Sequence, residues 1–223
     1  MKIDILTLFP GIFNGPFTES IIKRARESKI VGINIHDLRK YTKDKHRTAD
    51  DKPYGGGSGM VMKPEPIFEA VDELKKRGSQ LVLMTPAGLK FDQSIARKLS
   101  KKKHIIFICG HYEGVDERVN TGLKPLELSI GDYILTNGSL ASAVVVDAII
   151  RLIPGVLGNP NSTCEESFSD GFLEYPHYTR PSVYRGMKVP KEIMSGNHKT
   201  INEWRRKEAI KKTRTIRPDM INK

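Results

Sequence analysis

The chain has only two cysteines, Cys109 and Cys164, in 223 residues. Cys109 ends an apolar run, Cys164 sits in a polar stretch, and no zinc-like spacing links them. This argues against a cysteine-built metal module and for free thiols in a reducing compartment. Long apolar runs are missing too. The stretch over 141–152 is cut by Asp147 and Arg151 and is too short to span a bilayer. The opening MKIDILTLFP alternates and carries Asp4 inside the run, the pattern of a strand and not of an unbroken signal-peptide core. A soluble, cytoplasmic protein without membrane association is expected. Acidic residues are in deficit, 26 against 37 Lys+Arg, for a formal charge of +11. Two readings of that excess stand side by side: a polyanionic partner, most commonly nucleic acid, or a merely basic soluble enzyme. With 38% hydrophobic and 28% charged residues, a packed core is expected and pervasive disorder is not.

Over the first 150 residues, short strand-like runs alternate with amphipathic helices. Strands are predicted over 2–9, 32–37, 80–84, 104–109 and near 128–135, and helices over 18–27, 65–77, 92–101 and 141–153. Asp92 suits an N-cap, and Pro64 and Pro66 suit a first helical turn. The run Ile105-Ile106-Phe107-Ile108 is apolar on both faces, as buried parallel strands are. The fold class is therefore α/β, a mainly parallel sheet with helices on both faces. Pro154 closes the last helix, and the turn-rich stretch after it reads as a linker. The boundaries are a domain over 1–158, a flexible linker over 159–175 and a small all-α domain over 176–223. From Arg185 onward, twelve Lys+Arg face four Asp+Glu, and helix 198–213 carries much of that excess. A solvated face is the ordinary meaning of such a run; its concentration in a small domain favours RNA contact.

The densest glycine segment is Asp50-Asp51-Lys52-Pro53-Tyr54-Gly55-Gly56-Gly57-Ser58-Gly59-Met60. No Gly-Lys-Ser/Thr follows, so it is not a P-loop. It neither follows a strand directly nor opens a helix, so it is not a Rossmann-type nucleotide loop. A loop closing on substrate and an ordinary surface loop remain, and the unstructured length over 39–63 favours the first. Three further loops stand where strands end, the usual ligand position in parallel sheets. They are Thr85-Pro86-Ala87-Gly88, the run from Cys109 to Arg118, and the run from Ser129 to Gly138. Asp116 and Glu117 are explained by the dipole of a following helix. Glu113, between Tyr112 and Gly114, is not.

Taken together in order, these segments closely resemble the bacterial tRNA (guanine-37-N1)-methyltransferase family of the SPOUT class. The matching pieces are Leu8-Phe9-Pro10, the glycine-rich run, Gly110 to Arg118, Ser129 to Thr136, Arg151 to Gly158 and Pro176-His177-Tyr178-Thr179-Arg180-Pro181, which span nearly the whole chain. The resemblance implies a deep trefoil knot over about 84–140, a topology rare elsewhere. It implies S-adenosylmethionine held in a bent pose by Thr85, Pro86, Gly88, Gly110, Tyr112, Glu113, Ile130, Gly131, Asp132, Tyr133, Ile134, Leu135, Asn137 and Gly138. It also implies a homodimer with a site shared between subunits, a linker that orders over the partner's cofactor when tRNA binds, and a role in keeping the translational reading frame. The family is associated with a divalent metal, Mg²⁺; no ligand cluster stands out, and Glu113 and Glu174 are the candidates. The chain departs at Asn137-Gly138-Ser139-Leu140-Ala141, where the family often has Gly-Gly-Glu-Leu-Pro; Asn137 is expected to keep a left-handed turn.

Guanine N1 carries a proton at neutral pH, so its methylation needs a base, and a cationic donor at O6 offsets the charge that develops there. By resemblance the base is Glu166, where the family usually has Asp before Ser-Phe, and the O6 donor is Arg151. Glu165 is the neighbouring alternative. Contacts to the anticodon loop and stem are expected from Asp50, Tyr54, Gly55, Gly56, Gly57, Ser167, His177, Tyr178 and Arg180, since RNA loops are read through unstacked bases. Packing of the second domain's entrance is the competing explanation for His177, Tyr178 and Arg180. Two other functions compete. A non-catalytic RNA-binding protein on this scaffold is opposed by Arg151, Glu166 and the cofactor loops. A knotted methyltransferase acting on ribose 2′-OH or ribosomal RNA is opposed by the glycine-rich loop and the Pro176–Pro181 run.

Overall fold

The computed structural model describes residues 1–159 and 166–221. They divide into two compact units, Met1–Gly158 and Asn159–Lys223. The first is built on a five-stranded sheet of β1 (Lys2–Thr7), β2 (Gly32–Asp37), β5 (Gln80–Lys90), β6 (His104–Cys109) and β7 (Leu126–Ser129). The order is β2-β1-β6-β5-β7 and every pairing is parallel.

Side-chain alternation sorts the core onto two faces. Ile3, Ile5, Ile105 and Phe107 join one cluster, which takes in Ile22 and Ala25 of α1 (Ser20–Glu27), Leu99 of α3 (Gln93–Ser100) and Val145, Val146 and Ile149 of α5 (Gly138–Ile150). Leu6, Ile106 and Ile108 join the other, with Ile67, Ala70 and Val71 of α2 (Pro64–Leu74) and Val119 of α4 (Glu117–Leu123). All six residues of β6 are buried, which explains its unbroken apolar run. Helices thus cover both faces, as the sequence predicts.

Caps fix several helix starts. Asp92 accepts the Ile95 amide, as expected. Asn137 departs from its expected left-handed turn: its φ is −164°, extended backbone, and its side chain accepts the Ser139 amide as the N-cap of α5. That helix accordingly begins three residues before the predicted 141.

The stretch over 39–63 is not free of structure either. A 3-10 turn covers Leu38–Tyr41, and β3 (Asp50–Asp51) pairs antiparallel with β4 (Val61–Met62). The predicted strand 80–84 continues to Lys90 through an irregularity between Met84 and Leu89, so the Thr85–Gly88 turn is a bulge inside β5. At Gly88 the neighbouring β7 backbone lies so close that a Cβ there would be 2.5 Å from the Leu128 amide nitrogen.

The second unit is not all-α. Before α6 (Lys191–Met194) and α7 (His198–Ile216), β8 (Val183–Tyr184) and β9 (Met187–Lys188) form a hairpin. Arg185 and Gly186 turn it at φ +50° and +77°, the left-handed pair of a two-residue turn. Pairs of two residues are too short to show a period of two, so both small ladders escape pattern reading. Among the described residues, no helix is long and apolar enough to cross a membrane.

Candidate functional site

In the first unit, three segments distant in sequence converge: the bulge in β5 and the loops beyond the carboxyl ends of β6 and β7. They enclose a cleft of about 510 Å³, within the range of small-molecule sites. Thr85 and Pro86 come from the β5 bulge, Gly110, Tyr112 and Glu113 from the turn after β6, and Ile130, Gly131, Tyr133, Ile134, Leu135, Asn137 and Gly138 from the loop between β7 and α5. Two expected residues are not in its wall. Gly88 acts behind it, by admitting the Leu128 backbone. Asp132 points out, its side chain 92% exposed and 3.6 Å from the Lys90 ammonium.

The cleft floor is set by close packing. The Gly138 amide donates to the Gly110 carbonyl at 2.7 Å, and a Cβ on Gly138 would meet Met84 Cβ and the Gly110 nitrogen at 3.1 Å. Behind the floor, Thr7 and Ser139 hydroxyls are 3.0 Å apart, and Cys109 donates to Ser142 at 3.3 Å. Burial pushes the Cys109 thiol up to about 12, so it is a packing residue without thiolate chemistry. The walls mix exposed apolar groups (Tyr133, Ile134, Leu135) with backbone amides and carbonyls, a combination suited to a ligand with an aromatic ring and polar edges.

Sequence reading missed part of the lining. His111 lies in the wall, its Nδ1 accepting the Tyr112 amide and its ring 4.8 Å from that of Phe9. Burial holds its pKa below the ordinary histidine value, with Arg39 acting the same way and Asp50 opposing. It stood inside the quoted 109–118 run, so its position was the available signal. Glu127 also lines the cleft, from a strand where nothing marked it.

The glycine-rich loop is tied to this cleft. The Glu113 amide donates to the Met60 carbonyl and the Met62 amide to the Gly114 carbonyl, while Glu113 lies directly against Gly59. Gly55, Gly56 and Gly57 hold φ of +85°, +79° and +118°, backbone that other residues adopt at a cost. Tyr54 projects fully into solvent, and Asp50 is fixed in β3. Arg151 follows α5 half-buried, its amide bonded to the Asp147 carbonyl.

The remaining candidates belong to the second unit. Glu166 is half-buried and lines a cavity of about 200 Å³ with Phe172, Tyr175, Arg205 and Arg206. Ser167 Oγ accepts the Glu174 amide at 3.0 Å. His177 Nε2 is 2.9 Å from the Glu174 carboxylate, and the Tyr178 ring lies 6.2 Å from that of Trp204. Arg180 is exposed. Glu165 and Cys164, like most of the linker's first part, lie outside the described residues. Among the described residues no group of three His, Cys, Asp or Glu side chains could hold a metal ion, and Glu113 and Glu174 belong to different units.

The family model described as tRNA (Guanine-1)-methyltransferase TrmD matches residues 1–223. A protein of Dictyoglomus turgidum (strain DSM 6724 / Z-1310) is 58% identical over 223 residues, covering 100% of this chain and 91% of its own length. One of Bacillus cereus (strain B4264) is 55% identical over 225 residues, 100% and 92%. One of Bacillus anthracis (strain A0248) is 55% identical over 224 residues, 99% and 92%. Each of the three is named tRNA (guanine-N(1)-)-methyltransferase.

Proposed function

The chain belongs to the tRNA (guanine-1)-methyltransferase family, and from that premise we propose that it transfers a methyl group from S-adenosylmethionine to N1 of guanine 37, beside the anticodon of tRNA, in the cytoplasm. The observation that carries this reading is the convergence of three remote segments on one cleft of about 510 Å³. Its volume, its apolar side chains and its backbone donors and acceptors suit an adenosine and its polar tail. Bound there, S-adenosylmethionine supplies an electrophilic methyl group.

The protein's own part is to prepare guanine. Glu166 takes the N1 proton, which a carboxylate does efficiently only within hydrogen-bond reach. Arg151 donates to O6, where negative charge gathers as the proton leaves. Tyr54 and the Gly55–Gly57 backbone close over the substrate, with Asp50 at the loop's base. His177, Tyr178 and Arg180 meet the anticodon loop and stem. Ser167 meets the RNA beside Glu166 while its oxygen holds the loop.

Arg151 is in one unit and Glu166 in the other. The same reading has them act across a homodimer interface, with the linker ordered over the partner's cofactor when tRNA binds. Support comes from apolar residues left in solvent near the cleft: Ile134 at 79% exposure, Val144 at 53% and Leu140 at 48%. A trefoil knot over about 84–140 belongs to the same reading.

The direct test is to incubate the protein with S-adenosylmethionine and unmodified tRNA and map the methylated nucleosides by mass. One 1-methylguanosine at position 37 is expected. A ribose 2′-O-methyl product, or tRNA bound without methylation, overturns the reading.

A further inference from the structure

A loop that carries a base must be held still, and the second unit shows what holds the loop bearing Glu166. Residues 166–175 are closed on themselves: the Phe168 amide donates to the Phe172 carbonyl at 2.9 Å, Ser169 to Glu166 at 3.1 Å, and the Glu174 amide to Ser167 Oγ at 3.0 Å. This closed loop is fastened to one helix. The Leu173 amide donates to Thr213 Oγ1 at 2.8 Å, Lys212 Nζ donates to the Glu174 carbonyl at 3.1 Å, and the Arg206 guanidinium lies 4.3 Å over the Phe172 ring.

Thr213 is wholly buried, and both capacities of its hydroxyl are committed. Its proton goes to the Ala209 carbonyl at 2.7 Å, and its lone pair receives Leu173. A threonine used only for helix packing would need the first bond and not the second. From Leu173 the path to the carboxylate is short: the next amide, that of Glu174, holds Ser167, which follows Glu166 directly.

We propose that α7 is the positioning element for Glu166, with the buried hydroxyl of Thr213 as its latch. This rests on the reading of Glu166 as the base. The opposite side of the helix bears Lys207, Lys211 and Arg214, all exposed. RNA phosphates engaged by those cations therefore bind the same helix that fastens the base loop. Thr213 touches no reacting atom. Its effect passes through the loop, and a shift of the order of 1 Å in a base costs about 10²-fold in rate.

The test compares Thr213→Val, Thr213→Ser, Glu166→Gln and the Thr213→Val/Glu166→Gln double variant. Single-turnover methyl transfer at saturating tRNA and S-adenosylmethionine is measured beside both dissociation constants. Thr213→Val keeps the shape and strands the Leu173 amide; its rate should fall about 10–100-fold with both affinities kept. Thr213→Ser, which restores both hydrogen bonds, should return the rate to near wild type. In the Glu166→Gln background Thr213→Val should cost nothing more, because there is no base left to misplace. If Glu166→Gln is slow and Thr213→Val is not, the positioning role is refuted and the base stands. An equal loss from Thr213→Val in both backgrounds, or a loss of tRNA affinity without a loss of rate, makes Thr213 merely structural and overturns the proposal. If Glu166→Gln reacts at the wild-type rate, the base reading itself has failed.

Discussion

Replacing Gly88 by alanine adds one methyl group at the close approach that shapes the cleft. Its Cβ would lie 2.5 Å from the Leu128 nitrogen, 2.6 Å from the Glu127 carbonyl carbon and 2.7 Å from that of Leu128, against an ordinary contact of 3.4–4 Å. All three neighbours are backbone of β7, so no side chain can swing aside. β7 or the β5 bulge must move by roughly 0.7–0.9 Å, and overpacking of this kind costs about 1–3 kcal/mol. The upper end applies here, about 3 kcal/mol, since both strands are packed in the sheet. At about 2–4 °C per kcal/mol for a chain of this size, the melting temperature should drop by about 6–12 °C. The bulge supplies Thr85 and Pro86 to one wall of the cleft and β7 leads into Ile130. A displacement that takes about 1.4 kcal/mol from the bound state therefore weakens S-adenosylmethionine tenfold. Thermal melts and titration calorimetry read the two effects. Gly11→Ala is the control, because nothing lies within 4 Å of its added Cβ. A Gly88→Ala protein that melts and binds like the Gly11→Ala control would refute the reasoning.

Asp4 is buried at the other end of the sheet and receives hydrogen bonds from His36, Asn34 and His104, with the Lys2 ammonium 2.7 Å away. Burial alone would raise its pKa, but His36, Lys2, Asn34 and His104 together hold it well below the carboxylate range. A depressed folded value means its contribution is complete above the unfolded pKa of about 4 and fades as pH falls toward the folded value. Asp4→Asn should therefore destabilise by about 2–4 kcal/mol at pH 7 and by clearly less at pH 3, in urea melts at each pH; an equal gap at both contradicts this. On α7, Lys212 is occupied by the Glu174 carbonyl, so the exposed cations proposed to meet RNA are Lys207, Lys211 and Arg214. Neutralising all three should flatten the salt dependence of tRNA binding by up to about three units of log–log slope; an unchanged slope returns this face to solvent. Mixing inactive Arg151→Ala protein with inactive Glu166→Ala protein should restore activity if the site spans two subunits. No recovery after confirmed subunit exchange counts against a shared site.

What the sequence discloses depends on whether a signal is local. Strands buried on both faces, such as Ile105–Ile108, announce themselves, as does the Asp92 cap. Asn137 looked like a turn former because asparagine serves both as a left-handed residue and as an N-cap, and only the amide it receives separates the two. Gly88 gives no local sign of its purpose, since the backbone it admits is forty residues away in sequence. Two of the cleft's three segments are readable because they sit where β6 and β7 end, whereas the Thr85–Gly88 turn, read as a loop at a strand's end, is a bulge inside β5. The fastening of the 166–175 loop by Thr213 was not readable, because a threonine in a basic helix resembles any other polar position.

Removal of the N1 proton by Glu166 is tested by one variant series. Glu166→Gln should bind S-adenosylmethionine and tRNA as wild type does while single-turnover methyl transfer falls by about 10²–10⁴-fold, the usual size of a general-base contribution. Glu166→Asp should retain most of the rate, and Glu165→Gln should be close to wild type. Abolition of transfer by Glu165→Gln with Glu166→Gln unaffected, or no loss in either, would contradict the account.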